Sequence, residues 1–381
     1  MTTAAAPLLG SDAPRGTGDF GKRVLEFMIV GGATLVLFPF AWLYHTKVGV
    51  AESTLAVGMV AFYLAHVIND PHFAVTYLLF YKNLKKRAFG NEFTPFQKVR
   101  YWVAGLIVPV TLFTWGVLAL SARSPQGIGL MVQLMYVLVG WHYVKQGFGV
   151  LTVLSARRGV RFTPLERRVV LTHCFSGWAY GWATPRDFGS LFEESGVVYR
   201  SLGHPPGIQL VSGILFFGSG AAMLAVFLLK WHRERRVPPL APLSGLVITI
   251  WLWTVYSDID PVMAYVIPGL HSIQYLYFVW LLKSNEARAA EGPPRFGRTV
   301  AVRVGLLAVS SLALGYVLLR AGPEFMDTAW KLEDPGGAGS DLALGLTPFA
   351  AVIVTFVNIH HYFMDHVIWR RENPMTRYLR G

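Results

Sequence analysis

The chain has 381 residues, of which 53% are hydrophobic and only 15% are charged, and its mean hydropathy is +0.43. Soluble proteins carry about 25% charged residues, so this composition excludes an ordinary soluble domain and predicts a polytopic membrane protein. The formal net charge of +12 does not indicate a nucleic-acid partner, because Lys and Arg stand in short clusters between apolar runs, a pattern that sets membrane orientation. The single cysteine, Cys174, excludes an intrachain disulfide and a Cys-x-x-Cys metal site.

A helix needs about 20 mostly apolar residues to cross a membrane, and the apolar runs predict about ten such helices. Their predicted spans are 25–44, 54–81, 100–121, 127–154, 168–184, 207–229, 240–256, 263–282, 300–320 and 342–368. The fold class is therefore predicted to be all-α, as a single membrane-embedded helical bundle over residues 25–368. A polar N-terminal tail (1–24) precedes the bundle and a basic C-terminal tail (369–381) follows it.

Basic clusters occur on alternate sides of the predicted helices. They lie before the first helix and after the second, fourth, sixth, eighth and tenth, whereas the connections between them are neutral or acidic. The positive-inside rule then places both tails in the cytoplasm. We expect a multi-pass protein of a bacterial inner or plasma membrane, with segments 185–206 and 321–341 as short loops on the opposite side.

Eight of the eleven histidines lie inside apolar runs. Ionisable side chains are costly in hydrocarbon and mark functional sites by default. Several have an Asp, Asn or Gln one helical turn away, as His361 has Asp365, so that two polar side chains share a helix face. This pattern predicts a buried metal centre. The predicted metal ligands are His66, Asp70, His72, His142, His271, His360, His361, Asp365 and His366.

Three further polar side chains lie close in sequence to these histidines. Gln146 follows His142 by four residues and Gln274 follows His271 by three, so both are expected to orient ligands or to contact substrate. Lys145 lies about ten residues inside its helix, where it is expected to hold an anionic substrate group or to pair with Asp70 or Asp365. The pattern leaves open whether His173 is a ligand.

The donor types limit the choice of metal. Imidazole and carboxylate without thiolate suit iron, zinc, copper or manganese. Six to eight imidazoles exceed the three or four that a single zinc ion usually takes. The sequence therefore predicts a dinuclear centre with two iron ions, and zinc or another divalent metal is the alternative.

The segments HVINDPH (66–72) and HHYFMDH (360–366) resemble the histidine boxes of integral-membrane di-iron desaturases and hydroxylases. The single His142 and His271 stand where that family has a middle HxxHH box. The resemblance implies a membrane oxidoreductase that desaturates or hydroxylates a lipid-like substrate with dioxygen. It also implies an external electron donor and an iron pair near the cytoplasmic side.

Two other functions fit the same residues. A proton- or ion-coupled transporter also uses intramembrane His, Asp and Lys, often at interrupted helices such as Pro71 predicts. A metal-dependent lipid-modifying enzyme could use a His/Asp site without oxygen chemistry. The expected partner is a membrane lipid or another lipophilic molecule, and the sequence specifies no oligomeric state.

Overall fold

The computed structural model describes residues 17–184, 189–205, 207–257, 259–293, 295–332 and 341–379. Most of the predicted N-terminal tail, residues 1–16, lies outside this part of the chain. Helices dominate the described residues, in which the only strands are two of four residues each. The predicted all-α class is confirmed.

Fifteen α-helices make up most of the described chain. In chain order they are α1 Thr17–Phe27, α2 Thr34–Val48, α3 Val50–Ala65, α4 Asn69–Tyr81, α5 Leu84–Ala88, α6 Pro95–Trp102, α7 Val108–Ser121, α8 Pro125–Arg157, α9 Pro164–Ala183, α10 Ile208–Glu234, α11 Leu240–Ile250, α12 Met263–Glu291, α13 Val300–Tyr316, α14 Gly322–Ala329 and α15 Pro348–Ile368. Wider π-helical turns follow α1, α6, α11 and α13, at Met28–Gly32, Val103–Ile107, Trp251–Val255 and Val317–Ala321. A 3₁₀ helix, Pro374–Leu379, comes last.

Five helical stretches of the described chain are long and apolar enough to cross a membrane. They are Val50–Tyr81, Pro95–Ser121, Pro125–Arg157, Ile208–Glu234 and Val300–Ala329. A sixth candidate combines Phe20–Gly32 with α2, two segments that meet at 58°. These stretches support a membrane-type bundle, whereas ten spans and cytoplasmic termini remain predictions. α15, which carries His360, His361 and Asp365, is not among these stretches.

The second predicted span is interrupted, as the Asp70-Pro71 step predicts. α3 ends at Ala65 and α4 begins at Asn69, so Pro71 lies in the first turn of α4, where a missing backbone N–H costs nothing. His66 therefore lies in the break, whereas His72 lies on α4.

Segments 185–206 and 321–341 contain regular structure where only loops were expected. In the first, β1 (Leu191–Glu194) and β2 (Val197–Arg200) form an antiparallel hairpin. Its two turn residues, Ser195 and Gly196, both have positive φ, as a tight hairpin turn requires. In the second segment, α14 continues the helical path of α13 through a π-turn. Residues 185–188, 206 and 333–340 of these segments lie outside the described chain.

Close helix contacts fix the centre of the bundle. α4 packs against α13, where a Cβ atom on Gly315 would lie 2.7 Å from the backbone carbonyl oxygen of Asp70. α8 packs against both α11 and α15. α4, α8, α12 and α15 are thereby held with their polar positions facing one another.

Candidate metal centre

Four buried histidines converge from four helices. His72 on α4, His142 on α8, His271 on α12 and His361 on α15 each offer a ring nitrogen, and these atoms lie within 4.8 Å of one another. The Nε2 atoms of His142 and His271 are 3.1 Å apart. Two nitrogens that each bind one ion at about 2.1 Å lie roughly 3 Å apart when they meet at a right angle. This four-histidine cluster could therefore hold a metal ion.

Asp365 adds a carboxylate to the four-histidine cluster. Its Oδ2 lies 3.3 Å from His361 Nε2 and 3.8 Å from His142 Nε2. Its Oδ1 accepts hydrogen bonds from the hydroxyls of Tyr275, at 2.8 Å, and Thr76, at 3.4 Å. Because these hydroxyls hold one oxygen, the other is left facing the imidazoles of His361 and His142.

A hydrogen-bond chain sets the tautomer of His72. Ser272 Oγ donates to Asn69 Oδ1 at 2.7 Å, so it is left to accept from His72 Nδ1 at 3.2 Å. A proton on Nδ1 leaves the lone pair on Nε2, which is buried and has no hydrogen-bond partner among the described residues. Such an outer partner both orients a metal-binding imidazole and increases its basicity.

Unsatisfied polar atoms meet at the same point. His72 Nε2, His361 Nε2 and Asp365 Oδ2 are buried, and none has a hydrogen-bond partner among the described residues. A buried polar atom without a partner costs about 1–3 kcal/mol. A cation bound between these atoms would satisfy all of them at once, so the donor set fits a metal ion.

His66 and Asp70 were predicted as ligands but form a separate ionic group. Asp70 Oδ2 accepts from Arg320 Nε at 3.0 Å and lies 3.6 Å from His66 Nδ1. The break between α3 and α4 turns both side chains toward α13 and the π-turn that follows it. The spacing of His66 and Asp70 is the same as that of His361 and Asp365, but only the second pair lies at the four-histidine cluster.

His360 lies outside the four-histidine cluster. Its Nε2 donates to the carbonyl of Ala104 and its Nδ1 accepts from the Tyr77 hydroxyl, both at 3.0 Å. With both ring nitrogens engaged, His360 connects α15 to α4 and to the π-turn at Val103–Ile107. It has no nitrogen left for a metal.

His366 also lies apart, in a cationic group near the end of α15. Arg370 Nη2 is 2.7 Å from His366 Nε2, and Lys145 Nζ contacts His366 Nδ1. The Lys145 ammonium lies 4.3 Å above the centre of the Trp141 ring. Lys145 thus contacts His366 instead of forming the expected ion pair with Asp70 or Asp365.

Gln146 and Gln274 connect the helices that carry the ligands. Gln146 Nε2 donates to Gln274 Oε1 at 2.7 Å and to the backbone carbonyl of His271 at 3.2 Å. Gln274 in turn donates to the carbonyl of Val30 in the first π-turn. Both amides support the position of His271 through the backbone.

His173, which the sequence left open, is buried elsewhere. Its ring stacks on Phe216 at 4.9 Å between centroids and its Nδ1 lies 3.2 Å from Ser219 Oγ. It joins α9 to α10 and takes no part in the four-histidine cluster.

Three supporting residues were not predicted from the sequence. Thr76 and Ser272 hold Asp365 and His72, and Arg320 pairs with Asp70. Ser272 directly follows a predicted ligand and Thr76 lies one turn after His72, so a search for hydroxyls near the histidines would have found both. Arg320 is distant in sequence, and only the packing of α13 on α4 reveals it.

Together, the fold and the site define a membrane-type helical protein with a buried four-histidine cluster that could bind a metal ion. Searches of protein-family models, of curated proteins and of solved structures found no match to this chain. The residues of the site are therefore the basis on which a function is assigned.

Proposed function

We propose that the chain is an iron-dependent membrane oxidoreductase that uses dioxygen to desaturate or hydroxylate a lipophilic substrate. The observation that carries this proposal is the convergence of four buried imidazoles and the Asp365 carboxylate inside an apolar helical bundle. Nitrogen and oxygen donors without thiolate suit iron. Five donors also exceed the four that zinc typically takes in proteins.

The geometry favours one ion over the predicted pair. A second ion would need further donors, yet His360 has both nitrogens engaged and Asp70 pairs with Arg320. The two ring nitrogens of His366 are contacted by the cationic side chains of Lys145 and Arg370. A mononuclear centre held by His72, His142, His271, His361 and Asp365 is therefore the form that we propose.

The chain prepares this centre by holding donors and excluding water. Iron bound there would supply the redox chemistry that activates dioxygen, with electrons from an external donor. Ser272 keeps the His72 lone pair on Nε2, and Tyr275 keeps one oxygen of Asp365 free. Aromatic rings surround the imidazoles: Phe73 lies 4.9 Å from His361 between centroids. Such a dry environment strengthens electrostatic interactions and limits side reactions with water.

The position of Lys145 favours a substrate that carries an anionic group. Lys145 and Arg370 both contact His366, and neither has a carboxylate within ion-pair distance among the described residues. Since Lys145 lies one helical turn from His142, an anionic group bound there would place adjacent carbon atoms beside the centre. We therefore propose a lipophilic substrate with an anionic end.

A dioxygen-uptake assay on iron-loaded protein tests the activity. The wild type, in a membrane-lipid extract with a chemical reductant, is expected to consume dioxygen and to yield lipids with one added oxygen atom or two fewer hydrogen atoms. His361→Ala should do neither, whereas His360→Ala, a buried histidine outside the cluster, should do both. An iron-loaded wild type that leaves every lipid unchanged would contradict the proposal.

A transporter is the second candidate, because Asp70 and Arg320 form an ion pair at an interrupted helix. Intramembrane ion pairs at discontinuous helices are typical of transport sites. Proton or ion flux into liposomes that requires Asp70 but not His361 would favour this function. Bound zinc in place of iron would instead favour a lipid-modifying enzyme without redox chemistry.

A further inference from the structure

A cavity lies away from the four-histidine cluster, between the ends of α4 and α12 and the start of α13. Its volume is about 500 Å³. Its lining combines leucines of α4 and α13 with five charged side chains, Lys82, Lys283, Glu286, Arg298 and Arg303. Basic side chains and leucines thus share one concave surface, which we call the basic cavity.

The basic cavity has an excess of positive charge. Four of its side chains are basic, and the only carboxylate among its described lining residues is Glu286. Glu286 is 3.0 Å from Lys82 Nζ and also contacts Lys283 Nζ. Within the described chain neither Arg298 nor Arg303 has a carboxylate at ion-pair distance. An anion is therefore the complementary ligand.

Glu286 does not relieve this excess by becoming neutral. Burial of its carboxyl opposes ionisation, but the ammonium groups of Lys283 and Lys82 outweigh that effect and lower its pKa below the ordinary value. Glu286 thus stays charged near neutral pH and holds the two lysines in place. The two guanidinium groups remain available to a ligand.

The connection between α12 and α13 passes beside Arg303. The backbone N–H of Gly297 donates to the carbonyl of Ala290 at 2.6 Å, which folds the connection back on α12. A Cβ atom at Gly297 would lie 2.4 Å from the carbonyl oxygen of Ala290, so only glycine allows the two backbones to approach so closely. Arg303 Nη2 lies beside Gly297 at the edge of the cavity.

The walls of the basic cavity are apolar. Leu78 and Leu79 on α4 face Leu306 and Leu307 on α13, and Leu306 is 50% exposed. The basic residues stand where predicted spans 54–81 and 263–282 end and span 300–320 begins, which is the usual place of interfacial cations. A ligand that fits has a charged group at the membrane surface and apolar chains below it.

We propose that the basic cavity binds an anionic phospholipid, with its phosphate on Arg298 and Arg303 and its acyl chains along the leucines. Guanidinium groups form paired, charge-assisted hydrogen bonds with phosphate oxygens. The two lysines add long-range attraction to the anionic headgroup. This proposal does not depend on the proposed oxidoreductase function.

Native mass spectrometry of the full-length protein in detergent tests the site, with phosphatidylglycerol and phosphatidylcholine as the two probes. The wild type should retain phosphatidylglycerol at least about tenfold more tightly than phosphatidylcholine, and Arg298→Ala/Arg303→Ala should lose that preference. The matched control is Arg233→Ala/Arg236→Ala, an exposed basic pair after the predicted span 207–229, and it should bind like the wild type. Arg298→Lys/Arg303→Lys keeps the charge but not the paired donors, so it should retain an intermediate preference.

Several results would overturn the proposal. One is an unchanged lipid preference in a folded Arg298→Ala/Arg303→Ala protein. Another is displacement of the lipid by millimolar inorganic phosphate, which would identify a site for free anions. If the double variant does not fold, Arg298→Gln takes its place, because Arg298 is exposed; this variant must bind phosphatidylglycerol more weakly than the wild type.

Discussion

His360 and His361 are adjacent in the chain, yet their rings are in opposite hydrogen-bonding states. Both ring nitrogens of His360 are hydrogen-bonded, to Tyr77 and to Ala104. Both ring nitrogens of His361 are buried without a hydrogen bond among the described residues. Consecutive positions on a helix point about 100° apart. His360 therefore connects neighbouring helices, while His361 belongs to the four-histidine cluster.

Ser272→Ala should weaken metal binding without unfolding the protein. The substitution removes the acceptor that keeps a proton on His72 Nδ1, and loss of such an outer partner typically costs about 10–100-fold in affinity. A chelator-competition titration measures this change. Ser284→Ala is the control, since Ser284 is a buried serine of the same helix away from the centre. Equal affinities for the two variants would show that Ser272 does not orient His72.

Tyr275→Phe should free the Asp365 carboxylate to rotate. It removes the hydroxyl that Asp365 Oδ1 accepts at 2.8 Å, while Thr76 still contacts the same oxygen at 3.4 Å. We expect metal affinity to fall about tenfold, with unchanged helical content by circular dichroism. Tyr277→Phe is the control on the same helix. Affinity that falls equally in both variants would point to a general loss of packing.

Arg320→Met should destabilise the fold, and Asp70→Asn should rescue it. Removing Arg320 leaves the Asp70 carboxylate, whose side chain is 3% exposed, buried without its cation. Breaking a buried pair from one side costs about 3–5 kcal/mol, and the exposure of Arg320 places this case toward the lower end. Thermal unfolding of the two single variants and the double variant forms a double-mutant cycle. Absence of coupling between the two substitutions would show that the pair is not formed.

Gly315→Ala should loosen the contact between α4 and α13. Its added methyl would lie 2.7 Å from the Asp70 carbonyl oxygen, and overpacking of this kind costs about 1–3 kcal/mol. Gly305→Ala is the matched control on α13. Apart from the backbone of its own helix, no described atom lies within 4 Å of the position that its added methyl would take. The control should be neutral or slightly stabilised in thermal unfolding. Equal melting temperatures for both variants would contradict the close approach of the two helices.

Residue type and spacing predicted the helical class and part of the centre. Four of the predicted ligands, His72, His142, His271 and His361, converge in the structure, and Asp365 lies beside two of them; their role as metal ligands stays a prediction. Spacing alone does not distinguish the His66–Asp70 pair from the His361–Asp365 pair. Asp70 pairs with Arg320, whereas His361 belongs to the four-histidine cluster.

The remaining differences come from tertiary structure that periodicity does not encode. Which helix face meets the core depends on the break at 66–68 and on the π-turns, each of which rotates the residues that follow. The β1–β2 hairpin was missed because its strands have only four residues each. The positive φ angles at Ser195 and Gly196 that form its turn are seen only in the structure. The packing that brings Arg320 to Asp70 joins residues 250 positions apart.

Metal content per chain tests the central proposal most directly. Detergent-purified protein is reconstituted with iron, freed of loosely bound ions and measured by elemental mass spectrometry. The wild type and His360→Ala should each hold about one iron ion, and His361→Ala should hold almost none, with equal helical content in all three proteins. Two ions in the wild type would restore the dinuclear centre, and iron retained in His361→Ala would contradict the four-histidine site.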